Sequence, residues 1–270
     1  MTSNTLLITS IAPPFKNGEV DLDKLNWTNL CISSWYRSGH AVVSVNTKSE
    51  IELIKDIFPE VRFIETLKST KPINNRPLVF IYDALTLGKK EGYPRFAICN
   101  ADVLISCNIS NIQIPNESCL YSSRIDIDDE KSVEGKPFYG IDYFNCDNIY
   151  VEKMAPNYFA FGLPWWDYWL PLQTKLLNMD LHRLTTHEGA PILLHKKHKD
   201  AWSPNDLCNM GRHFLELMHH RKDLHHNEDA FINSYINNPP PCLENTMLYA
   251  SIARDVCSHI HSLSKELVIS

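Results

Sequence analysis

Short apolar strands alternate with amphipathic helices through the first hundred residues, and this alternation restricts the fold more than any other feature. Strands are predicted at 6–11, 41–45, 61–64 and 95–99. Helices are predicted over 23–38, from 49 to just before 59, and over 78–90. Because strands separated by ~10–15-residue helices form β-α-β units, we predict a mainly parallel, Rossmann-like sheet. Ligands of such sheets bind beyond the carboxyl ends of the strands.

The ends of two predicted helices carry capping signals. Gly39 follows the first helix at the position where a C′ glycine is common. Ser49 and Glu52 have the spacing of a capping box, which predicts that the second helix begins at Ser49.

The pattern changes after about residue 105, where segments become shorter and more polar. Further strands are predicted at 124–127, 139–144 and 192–195, and helices at 206–220 and 245–263, separated by a rigid break at 237–241. We therefore predict an α/β domain over 1–205, with halves 1–105 and 106–205. A C-terminal helical extension would occupy 206–270.

Composition narrows the classes of partner. The net charge of −6 argues against a nucleic-acid partner, which usually needs a basic face. No stretch approaches ~20 apolar residues, so we predict no membrane span. The eight cysteines are scattered without a C-x-x-C pair, which indicates a reducing cytoplasm. Peripheral contact with the inner face of a membrane stays compatible with these features.

The segment PWWDYWLP, at 164–171, places Asp167 among three tryptophans and a tyrosine. An unpaired buried carboxylate is unfavourable, so this group is expected to be paired, neutralised or at a cleft wall. Aromatic faces beside a carboxylate suit sugar binding, because rings cover apolar C–H faces while the acid accepts hydroxyl protons. The alternative is a structural aromatic cluster in which Asp167 caps the following helix.

A second candidate site lies at Asn100-Ala101-Asp102, where a predicted strand ends. A hard divalent cation that bridges a diphosphate needs oxygen ligands at such a position, and Asp102 would supply one. The alternative is a simple turn, which asparagine and aspartate both favour.

Two further segments carry polar groups at or beside predicted strands. His195 ends an apolar strand and is followed by Lys196, Lys197 and His198, which suits either a metal and phosphate site or a solvated basic loop. The spacing of His195 and His198 alone is poor evidence for zinc. Asp142 lies at a polar position of the strand 139–147, where it would face an acceptor or form a cross-strand contact.

The histidine-rich segment 213–226 is interpreted as a solvated helix end, because cations are favourable near a helix C-terminus.

The order of these segments resembles the GT-A-fold nucleotide-sugar glycosyltransferases over about residues 5–205. In that family a Rossmann-like half ends in a D-x-D motif, an acidic motif beside a tryptophan-rich loop follows, and a later histidine often completes the metal shell. Here NAD, WWDYW and LLHKKHKD occupy those places. The chain is most similar to bacterial surface-polysaccharide glycosyltransferase domains. Asn100 replaces the first aspartate of D-x-D, which leaves Asp102 as the only carboxylate ligand.

The resemblance implies a role for each candidate residue. Mn²⁺ or Mg²⁺ would be held by Asp102 and His195, with Asn100 beside them, and Asp167 would be the general base. Residues 1–105 would bind the nucleotide-diphosphate sugar, and 106–205 a carbohydrate or glycolipid acceptor. The donor contacts would be Thr9, Ser10, Asn46, Asp83, Asn100 and Asp102. The acceptor contacts would be Asp142, Trp165 and Trp166.

Two other functions stay open at this point. A sugar nucleotidyltransferase would share the α/β half, but such enzymes usually carry a glycine-rich basic signature after the first strand, and APPFKNG at 12–18 has only one glycine. A non-catalytic carbohydrate-binding or scaffold protein would explain the missing first aspartate. A nucleophilic hydrolase is disfavoured, because the chain has neither a G-x-S-x-G elbow nor a cysteine in a basic, exposed setting.

Overall fold

The computed structural model describes residues 4–110, 112–129, 135–198, 202–220 and 246–269. Its helices are α1 (Leu22–Arg37), α2 (Lys48–Ile54), α3 (Lys71–Asn74), α4 (Ile81–Lys89), α5 (Asn148–Lys153), α6 (Trp166–Leu176), α7 (Pro204–His220) and α8 (Thr246–Leu263). Its strands are β1 (Thr5–Thr9), β2 (Phe15–Lys16), β3 (Glu19–Val20), β4 (Ala41–Asn46), β5 (Arg62–Glu65), β6 (Arg95–Cys99), β7 (Val103–Ile105), β8 (Ser118–Ile127), β9 (Lys136–Asp147), β10 (Asp180–Thr186), β11 (Leu193–Lys196) and β12 (Lys265–Ile269).

Ten of these strands form one mixed sheet in the order β12-β10-β8-β9-β6-β1-β4-β5, with β11 and β7 joined beside β8. Six of its pairings are parallel and three are antiparallel. The predicted α/β class with a mainly parallel sheet is therefore confirmed.

Helices cover both faces of the sheet because side chains alternate along each buried strand. On β1, Leu7 packs on the face covered by α1, and Leu6 and Ile8 pack on the other. The second face carries α4, α6, α7 and α8, and its core holds most of the aromatic residues.

The helix ends agree with the predicted capping signals at one site and differ at another. Asp21 caps α1, and Gly39 follows it with a φ of 93°, a conformation that glycine adopts without strain. The capping box of α2 is formed by Thr47 and Glu50, two residues before the predicted pair. The reason is that β4 continues to Asn46, which leaves Thr47 as the first residue free to cap.

The segment 206–270 is not a purely helical extension. It forms α7 and α8 and then ends in β12, which pairs in parallel with β10. Phe214 and Ile260 belong to the same core as the central strands. The expectation of helix up to the C-terminus is therefore wrong. The predicted break at 237–241 and the end of the histidine-rich segment, 221–226, lie outside the described residues.

None of the helices within the described ranges is long and apolar enough to span a membrane.

Candidate active site

Asp102, His195 and His198 bring their polar atoms together at the carboxyl end of β6. Oδ2 of Asp102 lies 2.9 Å from Nε2 of His198 and 3.8 Å from Nε2 of His195. The two Nε2 atoms are 3.1 Å apart. The side chains of Asp102 and His198 are 40% and 47% exposed, whereas that of His195 is 7% exposed. The cluster is therefore buried on the side of His195 and open to solvent on the side of Asp102 and His198.

Strand pairing explains why residues almost a hundred positions apart meet. β7 begins directly after Asp102 and pairs with β11 in antiparallel register, which aligns Val103 with His195. On its other side, β11 pairs in parallel with β8, which aligns His195 with Asp126. Because both registers are fixed by buried apolar neighbours, His195 is held between the Asp102 turn and β8.

Two tryptophans of α1 hold the backbone of the Asp102 turn. The indole Nε1 of Trp27 donates to the carbonyl oxygen of Asp102 at 2.8 Å, and that of Trp35 donates to Val103 at 2.8 Å. Both rings are buried. The turn is therefore fixed by its main chain, which leaves the Asp102 carboxylate free to face the histidines.

A chain of charged hydrogen bonds supports His195 from behind. Its Nδ1 donates to Asp126 Oδ1 at 3.0 Å, which orients the ring so that Nε2 is directed at the cluster. Arg124 donates to Asp126 and to Asp142, each at 2.8 Å, and Asn100 Nδ2 donates to Asp142 at 2.6 Å. The chain therefore connects the turn at residue 100 to the metal-ligating candidates.

The environment of Asp102 favours its ionised form. Removal of water by neighbouring groups raises the pKa of this carboxyl. Hydrogen bonds from His195 and His198, and their electrostatic attraction, outweigh that effect and hold the pKa well below its usual range.

The three groups fit a single divalent ion. Their ligand atoms all lie within 4.8 Å of one another, and two of the three separations are close to the roughly 3 Å between neighbouring ligands with bonds of about 2.1 Å. The second ring nitrogen of His195 donates to the Asp126 carboxylate. Metal-binding imidazoles frequently have a carboxylate partner at that position. Two imidazoles and one carboxylate favour a first-row transition ion over Mg²⁺, which takes oxygen ligands.

Asp167 faces the same cavity as this cluster. The cavity has a volume of about 350 Å³ and is lined by Asp102, His195, His198, Asp142 and Asp167, among others. Asp167 lies in the first turn of α6, and its Oδ2 accepts from the Ile141 amide at 3.4 Å. Its Oδ1 is buried and has no hydrogen-bond partner among the described residues.

The buried position of Asp167 changes its acidity. Burial, and to a smaller extent the nearby Asp142 carboxylate, raise its pKa to about 7, while the hydrogen bond from the Ile141 amide opposes the shift. A carboxyl that titrates near neutral pH and has an unoccupied oxygen is suited to accept a proton.

The tryptophans beside Asp167 have a different role from the one predicted. Trp165 is fully buried, its Nε1 donates to the Leu207 carbonyl at 2.8 Å, and its ring packs on Phe214. It does not line the cavity, so the expectation of an acceptor platform at Trp165 is corrected. Trp166 reaches the cavity lining but is only 2% exposed. The motif opens a helix rather than lying in a loop, and Trp165 holds a φ of 80° at its N-cap.

Asp142 is also placed differently. It is 3% exposed and bound by Arg124 and Asn100, so its carboxylate is committed to this chain of hydrogen bonds and not to an acceptor. The predicted role of Asn100 is changed likewise, because its Nδ2 atom is directed at Asp142.

The predicted nucleotide contacts at the strand ends divide into two groups. Thr9 and Asn46 are fully buried, and the Asn46 amide donates to the Ile11 carbonyl at 3.0 Å, so neither side chain is available to a ligand in this conformation. Ser10 and Asp83 are partly accessible, and Asp83 lies 3.6 Å from the Lys68 ammonium. None of the four lines the cavity that holds Asp102.

Sequence reasoning missed Arg124 and Asp126 and gave little weight to His198. Arg124 and Asp126 stand two apart on a predicted strand, so the period-2 pattern places two opposite charges on one face of β8. That pattern was the available signal. Nothing local indicated that His198 would meet Asp102.

The chain matches no protein-family model and no curated protein sequence. Among solved structures it is similar to the inositol-1-phosphate CTP transferase from T. maritima, with 9% identity, a TM-score of 0.43, and coverage of 90% of this chain and 99% of that one. The bifunctional IspDF from Campylobacter jejuni gives 9% identity, a TM-score of 0.42, and coverage of 98% and 92%. The 4-diphosphocytidyl-2C-methyl-D-erythritolsynthase from Anaerococcus prevotii gives 11% identity, a TM-score of 0.32, and coverage of 55% and 73%.

Proposed function

We propose that this protein is an enzyme that binds a nucleotide diphosphate group at the Asp102–His195–His198 cluster and transfers the attached sugar to a hydroxyl acceptor. The observation that carries the proposal is Asp167, a carboxyl that lines the cavity containing the cluster, has a raised pKa of about 7, and has one oxygen without a hydrogen-bond partner among the described residues. A hydroxyl nucleophile needs such a base, whereas a phosphate nucleophile is already an anion at neutral pH.

In this mechanism Asp167 removes the proton from the acceptor hydroxyl as its oxygen attacks the anomeric carbon of the donor. The bond between that carbon and the diphosphate oxygen breaks, and its electron pair leaves with the nucleoside diphosphate. Asp102, His195 and His198 would hold a divalent ion, which would neutralise charge on the departing diphosphate. Asp126 keeps the His195 ring oriented for this task. Ser10 and Asp83 are proposed contacts of the base or ribose.

Nucleotidyl transfer is the second candidate. It would join a nucleoside triphosphate to a sugar phosphate and release pyrophosphate. Arg254 favours it, since this exposed cation lines the same cavity and could hold the phosphate of the sugar.

One experiment separates the two reactions. Purified protein with Mn²⁺ is incubated either with a panel of nucleotide-diphosphate sugars and sugar acceptors, or with nucleoside triphosphates and sugar 1-phosphates. Glycosyl transfer predicts release of nucleoside diphosphate in the first set, and its loss in Asp167→Asn. Pyrophosphate release confined to the second set would overturn the proposal in favour of nucleotidyl transfer. Product in neither set, together with sugar binding, would identify a carbohydrate-binding protein.

A further inference from the structure

The positively charged side chains in the cavity differ in whether they are already paired with other groups. Within the described ranges, two arginines line the cavity, Arg124 and Arg254. Arg124 is already paired with two carboxylates, because its Nε binds Asp126 and one terminal nitrogen binds Asp142, and its guanidinium lies 4.2 Å from the centre of the Phe138 ring. The Arg254 side chain is exposed and has no hydrogen bond or ion pair within the described part of the chain. Of the described residues that line the cavity, Arg254 is therefore the arginine that is available to a ligand.

Arg254 lies on the face of α8 that forms one wall of the cavity. Ala250, Ala253, Arg254 and Cys257 follow the i, i+3, i+4, i+7 spacing of one face of α8, and the first three line the cavity. The Cys257 thiol donates to the Tyr139 carbonyl at 2.7 Å, which joins this face of the helix to β9. Alanine at two of these positions leaves room beside the guanidinium.

Exposed aromatic rings line the same cavity. Tyr139 and Phe138 are 55% and 43% exposed, and Trp202 is half-buried. Gly140 makes the position of Phe138 feasible, since a Cβ at residue 140 would come within 2.8 Å of that ring. These rings, unlike Trp165, are available to cover the apolar face of a sugar.

We propose that the second substrate of this enzyme carries an anionic group, a carboxylate or a phosphate, that Arg254 binds while the rings of Tyr139 and Trp202 contact the sugar. The planar guanidinium presents paired donors that match either group. The inference rests on the proposed function for the presence of a second substrate. It holds for both reactions, since a glycosyl acceptor would supply a carboxylate and a nucleotidyl acceptor a phosphate.

The test uses three probes that share a glucose ring: methyl β-glucuronide, glucose 1-phosphate and neutral methyl β-glucoside. Their dissociation constants are measured by NMR titration against the full chain, Arg254→Gln, and the control Arg212→Gln. Arg212 is also exposed but lies on α7 away from the cavity. We expect the natural protein and the control to bind at least one anionic probe about tenfold more tightly than the glucoside, and Arg254→Gln to lose that preference.

Preference for the glucuronide indicates a carboxylate-bearing acceptor, and preference for glucose 1-phosphate indicates a sugar phosphate. Equal binding of charged and neutral probes, a preference that survives in Arg254→Gln, or binding of no probe would each overturn the inference. Calorimetry of UDP with Mn²⁺ tests the nucleotide site separately. Nucleotide binding without anion preference leaves the proposed function standing, whereas anion preference without nucleotide binding removes the proposed function alone.

Discussion

The side-chain amide of Asn100 donates to the carboxylate of Asp142 across 2.6 Å. Asn100 occupies the position of the first aspartate in the D-x-D motif that the sequence resembles. A carboxylate at position 100 would repel the Asp142 carboxylate, whereas the amide donates a hydrogen bond to it. An asparagine is therefore more favourable than an aspartate beside Asp142. His198 contributes a third potential ligand atom next to Asp102, 2.9 Å from its Oδ2. The cluster thus has three donors without residue 100.

Asn100→Asp is therefore expected to lower the stability of the fold and not to raise the affinity of the cluster for a metal ion. Two adjacent carboxylates raise each other's pKa in the folded state, so stability is retained at low pH and is lost as pH rises above the ordinary aspartate range. We expect a loss of roughly 1–3 kcal/mol in the free energy of unfolding at pH 8, and much less at pH 4, by urea denaturation. Asn116→Asp, at an exposed position, is the control. Tighter Mn²⁺ binding with unchanged stability would contradict this account.

Asp126→Asn tests the support of His195. The carboxylate fixes the ring so that Nε2 faces Asp102, and loss of such a partner typically lowers metal affinity 10–100-fold. We expect a decrease of that size in Mn²⁺ affinity by calorimetry, with the far-UV circular dichroism spectrum retained. Asp128→Asn, two residues along and 83% exposed, should leave the affinity unchanged. Equal Mn²⁺ affinities in both variants would show that the cluster does not hold the ion.

How much of the fold could be predicted from the sequence depends on how far apart in the chain the interacting residues lie. The parallel sheet followed from local periodicity, because β1, α1, β4 and α2 each carry their own pattern. The capping box did not, because TKSE and SEIE overlap at 47–52 and only the extent of β4 decides between them.

The candidate site shows the same division. Asp102, His195 and Asp167 could be chosen because each is a polar residue at the end or start of an apolar segment. Their partners could not, since Asp126 reaches His195 through a register 69 residues apart in sequence, and His198 reaches Asp102 across 96 residues. The burial of Trp165 was equally hidden, because it depends on α7 and α8, which follow in the chain.

Trp165→Phe distinguishes a core residue from a sugar platform. The substitution removes the hydrogen bond to the Leu207 carbonyl and part of the buried ring that packs on Phe214, which together cost roughly 1–3 kcal/mol. We expect lower stability in urea with unchanged binding of the glucose-based probes. Tyr139→Ala is the converse, because that exposed ring lines the cavity, and it should weaken probe binding with little change in stability. The reverse pattern would restore Trp165 as an acceptor contact.

Asp167→Asn is expected to be inactive and yet more stable than the natural protein at alkaline pH. Because the pKa of Asp167 is about 7 when folded, against an ordinary value near 4, the folded state keeps a proton that the unfolded state has released. The contribution of Asp167 to stability is thus fully present below pH 4 and is lost as pH rises to about 7. An asparagine does not titrate, so the melting temperature of Asp167→Asn should exceed that of the natural protein at pH 8, and the difference should vanish near pH 4.

The transfer rate of the natural protein should rise with pH to a plateau above about 7, as the carboxylate forms. Asp167→Asn should reduce it by about 10²–10⁴-fold while nucleotide binding persists. Asp56→Asn, an exposed substitution, should change neither quantity. A rate that is independent of pH from 5 to 9, or turnover that survives in Asp167→Asn, would remove Asp167 as the base.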